Sequence, residues 1–273
     1  MEPYIPELNF TYPDKPDAHM VELIVTRNIV VDKKYPFYDK SFKFRFVRTL
    51  VYIVIFTLAF LVSPIRYGIK IRGREILRKY KKLFANGAMT VSNHVHRWDF
   101  LFILQAVRYR TMYMPVYKEN LKGPDSRVIQ LAGGVPVPDT ISLIKYFNDA
   151  FDEIHKRKKW IHVYPESTRF NYFQPIRPFK KGVFTMAYRY SLPVIPIAFS
   201  YRRPVFPYTI INWLRSRTGG QKLPMINIEI GEPLLFDKNL GRKEAVQQMR
   251  KDCHAAIVRL AGITQNQYPA EGD

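Results

Sequence analysis

The chain has 273 residues, 47% of them hydrophobic and 24% charged, with a formal net charge of +20 at pH 7. That balance suits one sizeable α/β domain with an appended segment and excludes a disordered chain. Its one cysteine, Cys253, excludes an intrachain disulfide and a cysteine-based metal cluster.

The charge is unevenly spread. Residues 1–40 are slightly acidic, whereas residues 41–90 hold eleven basic side chains and a single acidic one. Basic residues around an apolar run favour anionic lipid. Basic patches interleaved with aromatic residues can instead bind single-stranded nucleic acid. No nucleic-acid recognition module is visible, and a long uncharged run has no purpose in one. The expected partners are therefore membrane lipids and not nucleic acid.

Along the chain, residues 1–45 are rich in Pro, Tyr and Asp and read as an accessory arm, with strand-like runs at Leu23–Val25 and Ile29–Val31. The first 20 residues lack the apolar core of a secretory signal. Residues 46–84 read as a membrane-associated helical segment. From Thr49 to Ile65 there is no charge, with Lys43, Arg45 and Arg48 before the run and Arg66, Lys70, Arg72 and Arg74 after it. At about 1.5 Å per residue such a helix is about 25 Å long, the lower limit for a hydrocarbon core of about 30 Å. A full span, a re-entrant helix and an interfacial helix all fit, and Pro64 is expected to end or bend it.

Residues 85–273 alternate short apolar runs with helical periods, which predicts an α/β domain. The strands are expected at Ala88–Ser92, Tyr113–Tyr117, Trp160–Tyr164, Val194–Ser200 and Met225–Ile230. Helices are expected at Asp99–Arg108, Ile141–His155, Val183–Tyr190 and Arg242–Ala261, the last stopped by Gly262. Cys253 falls in that last helix as a small packed residue.

Two segments could hold chemistry. In Ser92-Asn93-His94-Val95-His96-Arg97-Trp98-Asp99, positions 94 and 99 would lie about 140° apart on a continuous helix. They meet only if His94 sits in the loop before a helix whose first turn holds Asp99. A loop imidazole that donates one nitrogen to a carboxylate is a general base of fixed tautomer. His96 is the rival. The second segment, Tyr164-Pro165-Glu166-Ser167-Thr168-Arg169, ends a strand, where open α/β sheets bind ligands. Arg169 offers a planar fork suited to phosphate.

Together, Asn93-His94…Asp99 and Pro165-Glu166-Ser167-Thr168-Arg169 resemble the glycerolipid (lysophospholipid) acyltransferase family, 1-acylglycerol-3-phosphate acyltransferases among them, with its H-x4-D and P-E-G-T-R hallmarks. Gly133-Gly134-Val135-Pro136-Val137 and Leu192-Pro193-Val194-Ile195-Pro196 stand where the family has its second and fourth blocks. Phe179-Lys180-Lys181-Gly182 and Gly231-Glu232-Pro233 agree as well. The resemblance spans roughly residues 65–235.

It implies a mixed, mostly parallel sheet flanked by helices, and transfer of a fatty acyl group from acyl-CoA or acyl-ACP, as co-substrate, to a lysophospholipid hydroxyl. His94 would be the base and Asp99 its orienter. Glu166, Ser167, Thr168 and Arg169 would bind the acceptor, with no metal or cofactor. It further implies a membrane location with the catalytic domain on the cytoplasmic face. Two departures stand out. Ser167 replaces the family glycine, and Pro138-Asp139 follow Val137 where the second block ends in arginine. Lys118, Arg127 and Lys180 are the candidates to replace that arginine if the acceptor is 1-acyl-sn-glycerol 3-phosphate; otherwise the acceptor is another lysolipid or polar molecule and not a phosphomonoester.

Overall fold

The computed structural model describes residues 4–20, 25–108 and 110–271. Its frame is a seven-stranded sheet: β1 (Lys70–Arg72), β2 (Met89–Ser92), β3 (Met112–Tyr117), β4 (Gly134–Val137), β5 (Trp160–Val163), β6 (Val194–Arg202) and β7 (Met225–Ile230). The order is β1-β7-β6-β2-β5-β3-β4, and every pairing is parallel except β6 with β7. This is the mixed, mostly parallel sheet that the sequence predicts. Parallel neighbours need crossover connections, which the intervening helices supply.

The helices are α1 (Phe42–Tyr67), α2 (Arg74–Lys79), α3 (Asp99–Ala106), α4 (Ser126–Ala132), α5 (Ile141–Lys156), α6 (Gly182–Arg189), α7 (Tyr208–Arg217) and α8 (Arg242–Leu260). One face of the sheet is covered by α5, α6 and α8 through Leu143, Phe151, Ile154, Phe184, Met249 and Ile257. The other face is covered by α3 and the segment around α2 through Leu77, Phe84, Phe102 and Ile103. Cys253 is fully buried in the first of these layers, as a small packed residue should be.

Several expectations change. Residues 70–72, in the stretch read as membrane-associated, pair with β7 and so belong to the sheet. Helix α1 runs on through Pro64 to Tyr67 and stops at Gly68, whose φ of 56° suits glycine and whose N–H bonds to the Pro64 carbonyl at 3.0 Å. Among the described residues no single helix is long and apolar enough to cross a membrane. Phe42–Ile55 and Phe60–Tyr67, bent by 40°, pass that test together by length and composition.

The arm forms no strand at Ile29–Val31, and the other run, Leu23–Val25, lies outside the described residues except for Val25. Between Tyr4 and Ser41 the described residues form neither helix nor strand and lie along the domain. Leu8 and Phe10 join one core layer, while Phe37 and Val31 join the other. Of the strand-like runs, Val31 packs partly buried on the first core layer, whereas Val25 and Val30 stay exposed.

Candidate active site

Strands β2 and β5 are parallel neighbours, with Val91 opposite Val163. Their carboxyl ends therefore release the His94 loop and the Tyr164–Arg169 loop side by side. Asn93 anchors the first loop to β6: its Nδ2 donates to the Phe199 carbonyl at 3.1 Å and its Oδ1 accepts from Phe199 N–H at 2.8 Å. The two loops also bind each other, Phe170 N–H to the His94 carbonyl and Tyr172 N–H to the Val95 carbonyl.

His94 and Asp99 meet as the spacing requires, with Nδ1 at 2.6 Å from Oδ2. Asp99 opens α3 and also accepts the Val95 and His96 N–H groups at 3.1 and 3.3 Å. Its position at a helix N-terminus favours the anion. Burial works to raise the Asp99 pKa, but His94, the hydrogen bond from it and the Tyr164 hydroxyl outweigh burial and hold the carboxyl below its ordinary range. With Nδ1 committed, Nε2 on the opposite edge of the ring has no hydrogen-bond partner among the described residues. The ring lines a cavity of about 660 Å³.

The rival, His96, is buried. Its Nδ1 accepts from Trp98 N–H at 3.0 Å, and its ring packs against Tyr67, Phe102 and Tyr172. Burial lowers its pKa to about 4, so it is a neutral core residue at pH 7.

Tyr164, not singled out in the sequence, completes the pair. It stacks on His94 with ring centroids 4.0 Å apart and donates its hydroxyl to Asp99 Oδ1 at 2.8 Å. Burial, reinforced by the Asp99 charge, pushes its pKa well up, so the hydroxyl remains a donor.

The remaining predicted residues divide into two groups. Ser167, Arg169 and Lys180 line the cavity; Glu166, Thr168, Lys118 and Arg127 do not. Glu166 is buried: Oε2 accepts from His94 N–H and Arg177 Nη2, both at 2.9 Å, and Oε1 accepts from Arg177 N–H at 2.9 Å. Both oxygens tie the His94 loop to Arg177, and the side chain is 2% exposed and off the cavity lining. Thr168 Oγ1 accepts from Arg177 Nη1 at 2.8 Å. Arg177, fully buried and over the Phe170 ring at 3.9 Å, is thus the hub of the second loop. Lys118 pairs with Asp139, one of the two residues standing where the family arginine would be, and Arg127 is exposed on α4.

Ser167 adopts φ 65°, the left-handed turn for which the family uses glycine. Gly133 has φ 106°, and a Cβ there would lie 2.2 Å from the Met112 carbonyl, so only glycine lets α4 turn into β4 beside β3.

Cations around the cavity differ in their commitments. Arg97 Nε bonds Asp125 at 3.0 Å, and Lys180 pairs with Asp17 of the arm at 2.9 Å. Arg169 makes no hydrogen bond or ion pair among the described residues, and its Nε is buried without a partner. Burial lowers its pKa, yet a guanidinium stays charged at pH 7. Much of the remaining lining is apolar, with Met114, Val116, Val128, Ile129, Phe147 and Met186. The arm passes the rim, where Pro16 carbonyl accepts from Arg177, Asp17 meets Lys180, and His19 stacks near Tyr117 at 5.2 Å.

Residues 68–200 match the Acyltransferase family. The match is to the family, over just under half of the chain. The matched stretch holds both loops of the site and five of the seven strands in whole or in part beyond β1, whereas α1, α7, β7 and α8 lie outside it. A crystal structure of the 1-acyl-sn-glycerophosphate (LPA) acyltransferase PlsC from Thermotoga maritima is similar at TM-score 0.53 and 16% identity, over 84% of this chain and 86% of that one. At that identity the likeness is one of fold.

Proposed function

We propose that this protein transfers a fatty acyl group from an acyl thioester to the hydroxyl of a lysophospholipid at a membrane surface. The observation that carries the reading is the meeting, in one cavity, of an oriented imidazole and a guanidinium without a partner, at the mouth of an apolar recess. His94 Nε2 takes the acceptor hydroxyl proton as the oxygen attacks the thioester carbonyl, with Asp99 stabilising the imidazolium that forms. The C–S bond then breaks, and the leaving thiolate recovers the proton from Nε2. No acyl-enzyme is needed, and Cys253 lies buried in α8, outside the cavity lining.

Arg169 is the phosphate-binding group, since a phosphate would give its buried Nε and its neighbouring N–H groups acceptors. Lys180 is the second cation at the rim, freed from Asp17 when the acceptor arrives. With Lys118 engaged by Asp139 and Arg127 off the cavity, Lys180 is the candidate left to replace the second-block arginine. The acceptor that fits best is 1-acyl-sn-glycerol 3-phosphate, for which the chain would make phosphatidic acid. The donor is acyl-CoA or acyl-ACP, so the catalytic domain faces the cytoplasm, with α1 on the bilayer.

The test uses purified protein, radiolabelled acyl-CoA and a panel of lysolipids, with products identified by mass. Acylation of the phosphomonoester acceptor above the others is expected. His94→Ala should lower the rate by about 10²–10⁴-fold while vesicle binding is retained. Transfer that survives in His94→Ala but is lost in His96→Ala would refute the assignment of the base, and no product with any lysolipid would refute the function.

A further inference from the structure

Helix α7 (Tyr208–Arg217) is amphipathic with its faces reversed for a protein bathed in water. Its polar side holds it to the body. Asn212 is 6% exposed, donating through Nδ2 to the Leu223 carbonyl at 2.8 Å and accepting from Leu223 N–H at 3.0 Å. Tyr208 donates its hydroxyl to the Pro64 carbonyl near the end of α1. At about 100° per residue, Trp213, Arg217, Ile210 and Leu214 fall on the opposite arc. Trp213 is 52% exposed, with Ile210 and Leu214 similar, and Phe206 in the loop before the helix reaches 78%. An outward row of large apolar side chains on a water-facing helix is unfavourable unless something covers it.

Charge points to what covers it. From Ser167 to Ile228 the chain contains no acidic residue, while the segment around α7 has Arg203, Arg215, Arg217 and Lys222. Arg217 lies over the Trp213 ring, 4.6 Å from its centroid, so the cation sits at the border of the apolar face. Aromatic and aliphatic residues edged by arginine and lysine are what a helix lying in a headgroup layer presents. The surface is also continuous with that of α1. The Tyr208–Pro64 contact joins α7 to the end of α1, where Phe60, Leu61, Val62 and Ile65 are exposed, and Arg202 at the end of β6 bonds the Gly68 carbonyl beside it.

We propose that α7 and the loop before it form a second lipid-contact surface, which rests on a bilayer containing anionic phospholipid. Phe206, Ile210, Trp213 and Leu214 enter the boundary between headgroups and acyl chains, and Arg203, Arg217 and Lys222 meet lipid phosphates. With α1, this gives the domain two points of attachment and sets its tilt on the membrane. The inference rests on the membrane-facing reading of α1 but not on the acyl-transfer chemistry.

The experiment uses the full chain and vesicles of phosphatidylcholine with or without phosphatidylglycerol, brominated at set acyl depths, with no acyl donor present. Quenching in the wild type less that in Trp213→Phe isolates Trp213. Strong quenching by bromines nearest the glycerol, larger with phosphatidylglycerol, is expected. The double variant Ile210→Glu, Leu214→Glu should bind such vesicles about tenfold more weakly, with acylation in detergent micelles unchanged. An Ile53→Glu, Val54→Glu variant reads α1 separately. If Trp213 is not quenched while the wild type is vesicle-bound, or the α7 variant binds as the wild type does, the proposal is overturned. It is equally overturned if the α7 variant converts a self-associating protein to monomer, which would make this face a contact between copies of the chain.

Discussion

The phenol ring of Tyr164 lies almost parallel to the imidazole of His94, 15° apart, while its hydroxyl binds the same carboxylate that holds the imidazole. Asp99 is therefore shared by the two rings, the phenol on Oδ1 and the imidazole on Oδ2, where the Val95 and His96 N–H groups also donate. A donor on Oδ1 draws charge from the carboxylate and fixes its plane, which in turn fixes the imidazole edge that faces the cavity.

Replacing Tyr164 with Phe keeps the stacked ring and removes only the donor. We expect kcat to fall about tenfold, since one hydrogen bond to a charged group is at stake. An unchanged kcat in Tyr164→Phe would show that the phenol merely fills space.

Arg177 and Glu166 form an ion pair in which each side chain is 1% exposed. Removing one partner strands the other charge in the interior. Arg177→Met should cost about 3–5 kcal/mol of stability, read as a lower denaturant midpoint, and should lower activity by loosening the His94 loop. A variant that unfolds at the wild-type midpoint would show that Glu166 does not need this partner.

Ser167 provides a conformational test. At φ 65° a β-branched side chain is disfavoured, whereas glycine is at ease. Ser167→Gly should keep activity and gain at most about 1 kcal/mol, because glycine's freedom in the unfolded chain offsets part of the relief. Ser167→Val should lose about 1–3 kcal/mol. Urea titrations of the three proteins give the order, and a valine variant as stable as the serine protein would contradict it.

Stability should fall as the solution is acidified, well before the carboxylates titrate. Burial lowers the pKa of His96 to about 4 and that of His162 to about 3, from an ordinary 6.5. The unfolded chain thus binds protons near pH 6.5 that the folded chain refuses. Both contributions are complete above pH 6.5 and are lost as the pH drops toward 4. His96→Gln should flatten the stability–pH curve by about 1.4 kcal/mol per pH unit between pH 6 and 4.5. Parallel curves for the two proteins would show that His96 titrates alike folded and unfolded.

Much of the site was legible because its signals are local. The five-residue spacing of His94 and Asp99 already required a loop followed by a helix, and the alternation from β2 to β7 depends on neighbouring residues. The apolar face of α5 was evident from its period. Other features had no local signal. Arg177 lies eleven residues from Glu166 in a stretch without periodicity, and the hydroxyl of Tyr164 matters only because β5 is next to β2. The three-residue β1 is too short to show a pattern, and Ile29–Val31 has strand propensity but forms no strand. Helix α7 has no local signal because its apolar residues face outward and its anchors, Asn212 and Tyr208, bond backbone carbonyls of other segments.

By itself, the order of residues determined which side chains could do acid–base work, where the apolar segment lies and that the strands alternate with helices, since these follow from side-chain chemistry and from periods of two to four residues. Only the tertiary structure decided that His94, not His96, faces the cavity, that Glu166 braces a loop, and that Arg169 lacks a partner among the described residues. Those outcomes depend on which groups lose water and which find each other across the sheet, and that is set by long-range packing.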